Sequence, residues 1–117
     1  MTPQDQSSAA AEICALAPVV PVLVVKDVAH AAPLAEALVA GGLPALEVTL
    51  RTPAALEAIR AMAAVPGGVV GAGTLLTRDD VFAAKDAGAT FGVSPGATDL
   101  LLAACAEAGL PLLPGAA

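Results

Sequence analysis

Apolar runs with the character of buried strands begin near Val19, Ala45, Val69, Thr90 and Pro111, so one run follows the next every 21 to 26 residues. That spacing is a repeat, and it restricts the fold more than any other feature of the sequence. The stretches between the runs are rich in Ala and Leu and carry helical spacing: Leu34 and Leu38; Leu56, Ile59 and Met62; Val81 and Phe82; Leu101, Leu102 and Cys105. Their entries hold capping residues, namely Asp27, Thr52 followed by Pro53, Thr77 with Asp80 three residues on, and Thr98 before Asp99. Their exits hold glycine, at Gly41-Gly42, Gly67-Gly68, Gly88 and Gly109. A further amphipathic helix is expected from about Pro3 to Leu16. Residues 1–17 then form an N-terminal helical segment of a single domain, 1–117.

Strands alternating with helices, and buried on both faces, imply a parallel sheet, because each right-handed crossover lays its helix on the sheet. Two closures compete. A doubly wound open sheet normally carries a Gly-rich phosphate loop after its first strand, and PVLVVKDV has none. A barrel gathers functional residues at the carboxyl ends of its strands, which here are polar for so apolar a chain. The expected fold is α/β, a parallel (β/α)8 TIM-barrel type truncated after about five strands, with an N-terminal helix. A closed barrel takes about 200 residues or more, whereas this chain has 117, of which 57% are hydrophobic. Part of that apolar surface is therefore expected to lie exposed.

The formal charge of −6 and the absence of Trp and Tyr argue against a nucleic-acid partner. The longest span without charge, Ala61 to Thr77, is interrupted by Pro66, Gly67, Gly68, Gly71 and Gly73, so no membrane span is expected. The amino-terminal residues lack the pattern of a secretory signal, and Cys14 and Cys105 make no disulfide framework, which points to a cytoplasmic chain. Both cysteines fall in apolar helical stretches and are read as structural. His30 has no second ligand at metal spacing, and Asp79 and Asp80 suit the first turn of a helix. No metal or cofactor is expected.

The segment Ala45-Leu46-Glu47-Val48-Thr49-Leu50-Arg51 alternates with period two. Leu46, Val48 and Leu50 suit the helix-facing side, which turns Glu47, Thr49 and Arg51 toward the barrel interior. An ionised carboxylate buried there without partners is penalised by several kcal/mol, roughly, so it is paired, protonated or functional. One reading is a Glu47–Arg51 ion pair that holds the strand end. The other is a site, for which Lys26, Thr74 and Ser94 with Pro95 stand at further strand ends. One carboxylate with cations and hydroxyls at one mouth suits an anionic substrate, the cations binding carboxylate or phosphate and the Glu moving protons.

The strings PVLVVKD, LEVTLRT, GAGTLL, GVSPG and PLLPG, in this order and spacing, resemble the 2-keto-3-deoxy-6-phosphogluconate (KDPG) and 4-hydroxy-2-oxoglutarate aldolases over nearly the whole chain. The resemblance implies a metal-independent class I aldolase on a (β/α)8 barrel, cytoplasmic and usually homotrimeric. Such an enzyme cleaves 2-keto-3-deoxy-6-phosphogluconate to pyruvate and glyceraldehyde 3-phosphate, and 4-hydroxy-2-oxoglutarate to pyruvate and glyoxylate. It further implies that Glu47 is the general acid/base, that Arg51 and Thr74 hold the pyruvate carboxylate and nearby oxygens, that Ser94 and Pro95 line the pocket, and that Lys26 is a basic rim position. The family's Schiff-base lysine belongs to a sixth strand. The two lysines present, Lys26 and Lys85, do not match it, so this chain is expected to lack that lysine and to hold only the proton-transfer and pyruvate-binding half of the site. The alternative is a non-catalytic half-barrel that associates with itself or a partner through exposed strand edges. A phosphate-sugar decarboxylase would need an acidic metal cluster that the strand ends do not supply.

Overall fold

The computed structural model describes residues 1–116. Helix α1, Pro3–Cys14, opens with a capping box: the Thr2 hydroxyl accepts the Asp5 N–H at 3.1 Å and the Asp5 carboxylate accepts the Thr2 N–H at 3.0 Å. There follow β1 (Val22–Leu23), a 3-10 turn (Val28–His30), α2 (Ala31–Ala40), β2 (Ala45–Thr49), α3 (Ala55–Ala63), β3 (Val69–Gly73), α4 (Arg78–Ala87), β4 (Phe91–Ser94), α5 (Asp99–Ala108) and β5 (Leu112–Pro114). All five strands form one sheet in the order β1-β2-β3-β4-β5, and every pair is parallel. Consecutive order with no reversal is that of a barrel wall; a doubly wound sheet has a switch point where the order turns back.

Register separates two layers. Leu46 pairs with Val70 and Val48 with Ala72, and these four join Leu75, Leu110 and Leu112 in the core beneath the helices. On the other face Glu47 pairs with Gly71 and Thr49 with Gly73. Ala45 and Phe91, at the amino ends of their strands, pack there with Ile13 of α1, so α1 covers the amino-terminal end of the inner layer. The inner face of β1 is uncovered: Val22 and Val24 are 59% and 49% exposed.

Several local expectations are corrected. β1 begins at Val22 rather than near Val19, because Pro18 and Pro21 have no N–H to donate and this edge strand has β2 on one side only. The Pro21 carbonyl still accepts the Glu47 N–H at 3.0 Å. Thr52 does not cap α3, which starts at Ala55 behind an Ala54 that makes no capping bond; the Thr52 hydroxyl donates instead to the Val25 carbonyl at 2.6 Å. Asp27 caps the 3-10 turn, accepting from Ala29 N–H at 2.9 Å. Thr77 forms a full capping box with Asp80, and Thr98 accepts from Leu101 N–H at 3.1 Å. Gly88 and Gly109 close α4 and α5 with φ of 106° and 66°, where an L side chain is strained. Helix α2 packs through Ala31 and Ala35, an i, i+4 pair of small side chains, and leaves Leu34 exposed. Of the cysteines, Cys105 is buried whereas Cys14 is exposed.

Candidate active site at the carboxyl ends of the strands

Every residue of β2 is buried, and its alternation places Glu47 and Thr49 on the inner face. Glu47 is 8% exposed. Its side chain lies over Gly73 of the neighbouring strand: a Cβ added to Gly73 would stand 2.8 Å from the Glu47 Cδ and 2.9 Å from its Cγ, closer than such atoms approach. One pair earlier, Gly71 makes the same room for the ring of Phe91. Gly71 and Gly73 are thus two inner-face positions whose missing side chains are replaced by a carboxylate and an aromatic ring. The available signal was two glycines at i and i+2 on one strand face, the mark of another group in close approach.

Burial pushes the Glu47 carboxyl above its ordinary value of 4.5, and the charge of Arg51 opposes this in part. The two do not form an ion pair. Among the described residues the ion pairs are Arg60 with Glu57 at 3.2 Å and Arg78 with Glu107. The latter is bidentate, and the Arg78 guanidinium also lies 4.6 Å from the Phe82 ring centroid. Arg51 lies just past β2, exposed, in the turn toward α3. Lys26 lies past β1 and is exposed as well. Lys85, in the last turn of α4, is exposed on the helical layer. The two cations that stand at strand ends therefore have no carboxylate partner within ion-pair distance among the described residues.

Thr74 follows β3 with φ of 63°, left-handed for a β-branched residue, at a cost of roughly 1–3 kcal/mol. Its flanks explain why the chain accepts this. The Gly73 carbonyl accepts Leu50 N–H at 3.0 Å, and Leu75 N–H donates to the Val93 carbonyl at 3.1 Å. Leu75 is wholly buried against Gly92, where a Cβ would collide with it. Both neighbours are fixed to adjacent strands, and Thr74 takes the conformation left to it. Ser94 is buried at the end of β4, and its hydroxyl donates to the Gly96 carbonyl at 2.7 Å. Register puts it on the helix-facing side with Gly92 and Leu112, and Pro95 follows, exposed. Glu47, Arg51, Thr74 and Lys26 therefore stand along the carboxyl-terminal end of β1 to β3, whereas the Ser94 hydroxyl is spent within its own loop.

Two outcomes test this geometry. Gly73→Ala should cost about 1–3 kcal/mol through overpacking. Because the collision is with Glu47, Glu47→Ala in the same chain should recover part of the loss in a double-mutant cycle read by urea denaturation. Additivity within about 0.5 kcal/mol would show that the two positions do not meet. The second outcome concerns pH. A carboxyl raised in the folded state binds more protons folded than unfolded above pH 4.5, so its contribution to stability is full below that value and is lost as pH rises through the folded pKa. Glu47→Gln should accordingly raise the melting temperature by a few degrees at pH 7 and by little at pH 4. An equal change at both pH values would contradict the burial argument.

The family model for KDPG and KHG aldolase matches residues 10–117. The KHG/KDPG aldolase of Escherichia coli K12 is 52% identical over 113 residues, which cover 96% of this chain and 53% of that protein. Among solved structures, the 2-keto-3-deoxy-6-phosphogluconate aldolase of Zymomonas mobilis ATCC 29191 superimposes with a TM-score of 0.88 at 56% identity, over 92% of this chain and 52% of that one. The KDPG aldolase of Legionella pneumophila, with pyruvate captured as a covalent carbinolamine intermediate, does so with a TM-score of 0.86 at 45% identity, over 93% and 53%. The chain spans about half the length of the relatives it matches. With a family match over nearly its whole length and the wall of a (β/α) barrel for a fold, the chain belongs to the KDPG and KHG aldolase family.

Proposed function

We propose that this chain carries the proton-transfer and 2-keto-acid-binding half of a class I aldolase site, acting on 2-dehydro-3-deoxy-6-phosphogluconate and on 4-hydroxy-2-oxoglutarate, with pyruvate as the shared product. The observation that carries this reading is the nearly buried Glu47 carboxyl on the inner face, without an ion pair among the described residues and near enough to Arg51 to feel its charge. A carboxyl whose pKa is raised by burial exchanges protons more readily near neutral pH than an ordinary one. In the proposed cycle a lysine amine adds to the substrate ketone, and loss of water leaves an iminium. The electron pair of the cleaved carbon–carbon bond flows into that iminium to leave an enamine, while Glu47 takes the proton from the C4 hydroxyl, which becomes the carbonyl of the departing aldehyde, and returns it to the enamine carbon; water then hydrolyses the pyruvate iminium and frees the lysine. Arg51 and Thr74 hold the 2-keto-acid carboxylate, Lys26 adds positive charge at the rim, and Ser94 and Pro95 shape the fourth strand's loop. The pyruvate adduct of the Legionella pneumophila relative supports the carbinolamine chemistry. Neither Lys26 nor Lys85 is assigned the imine: Lys85 sits on the outer helical layer, and Lys26 is exposed beyond an edge strand.

Pyruvate titrated into the labelled chain should shift amide resonances at Glu47, Arg51 and Thr74, and Arg51→Leu should weaken binding about tenfold, as loss of a charge-assisted bond does. Shifts confined to other residues would refute the assigned pocket. Borohydride added with pyruvate should leave the mass of the chain unchanged, and a reduced adduct on Lys26 or Lys85 would overturn the half-site assignment.

The exposed inner face of β1 favours a second reading, self-association through the strand edges. Light scattering should then give a mass above the 11.3 kDa of one chain, and Val22→Lys should lower it. A wild-type chain that scatters as a monomer at all concentrations excludes this reading.

A further inference from the structure

The ladder between β1 and β2 stops early. Its last pair is Leu23 with Val48, yet the chain must still carry Lys26 to the rim. Two side-chain bonds continue the connection where the backbone ladder has ended. The Thr49 hydroxyl donates to the Leu23 carbonyl at 3.3 Å, and the Thr52 hydroxyl donates to the Val25 carbonyl at 2.6 Å. The second bond is the shorter and lies farther along the strand. Its donor residue follows Arg51 directly, and its acceptor residue directly precedes Lys26. A single hydrogen bond therefore joins the backbones that carry the two strand-end cations.

The Thr52 side chain makes no other hydrogen bond among the described residues and does not cap α3, although the Thr52 carbonyl accepts the Ala55 N–H at 3.2 Å. Arg51 and Lys26 carry like charges, and no carboxylate holds either of them among the described residues. Without that bond, the segment that follows an edge strand of only two ladder pairs keeps its conformational freedom, and a bound anion must then pay the entropy of ordering it. A bond to the Val25 carbonyl removes that freedom in advance, with Val25 itself anchored, 4% exposed, in the core beneath the helices.

We propose that Thr52 is a positioning residue: its hydroxyl holds the carboxyl end of β1 against the turn after β2, so that Lys26 and Arg51 face one anionic group together. That the group is the carboxylate of a 2-keto acid rests on the half-site reading above. The tie itself does not.

Backbone order parameters at Lys26 and Asp27 and pyruvate affinity, measured on the wild-type chain, Thr52→Val and Thr52→Ser, test the proposal. Valine keeps the shape of threonine and loses the donor; serine keeps the donor. Thr52→Val should lower the order parameters at Lys26 and Asp27 and weaken pyruvate binding about tenfold, while Thr52→Ser should restore both to within about twofold of wild type. Unchanged order in Thr52→Val would overturn the proposal whatever pyruvate does, as would a serine variant as loose as the valine one. Loss of order in Thr52→Val, restored by serine, with no variant binding pyruvate, would support the tie and refute the half-site reading instead.

Discussion

The carboxylate of Glu47 occupies the inner face of the sheet because Gly73 presents no side chain there, and the rest of the site depends on that vacancy. A parallel strand must alternate, so a chain that buries Leu46 and Val48 beneath its helices has to turn Glu47 and Thr49 the other way. In an ordinary barrel the inner positions are filled by branched aliphatic groups. Here the facing strand gives up two side chains in succession: Phe91 fills the space over Gly71 and Glu47 the space over Gly73. The carboxyl thus lies nearly buried over the Gly73 backbone, and its raised pKa follows from that burial.

Strain and order at the rim have a common origin in the sheet. Thr74 is left-handed because the residues on either side of it are bound to different neighbouring strands, and the hydrophobic anchoring of Leu75 keeps it so. At the opposite side of β2 the strand ladder has run out, and hydroxyls of Thr49 and Thr52 take over from backbone donors. The same strand therefore serves as the rigid reference for both neighbours. β3 is coupled to it through five paired residues, β1 through two.

Much of this architecture was legible because it depends on patterns that local sequence carries. The interval between apolar runs told of five parallel strands, the alternation of β2 told which side Glu47 takes, and the Thr77 and Thr98 caps were where their side chains required. What misled was residue type without its partner. Thr52 before a proline has the form of a helix cap, but α3 starts only at Ala55, and the Thr52 hydroxyl donates to the carbonyl of Val25, 27 residues away. Leu34 has the spacing of a buried position, but the buried residues of α2 are Ala31 and Ala35. Ser94 shares the strand end with the site, yet the parity of β4 turns it to the helix side. Gly71 and Gly73 were missed because a glycine on a strand reveals a close approach without saying which side chain makes it.

The distribution of charge gives the site its polarity. Eleven acidic residues against five basic ones make the chain an anion, and long-range attraction does not bring a negative substrate to it. Two of the five cations are held on helices by glutamates and a third lies on α4. Lys26 and Arg51 are those left at strand ends, and the charge of Arg51 reaches the Glu47 carboxyl that burial inclines toward neutrality. Screening at physiological salt reaches about 8 Å, so an approaching carboxylate responds to the charges nearest to it rather than to the net charge. An anionic chain can therefore bind an anion at this mouth, provided that the two cations are held together before it arrives.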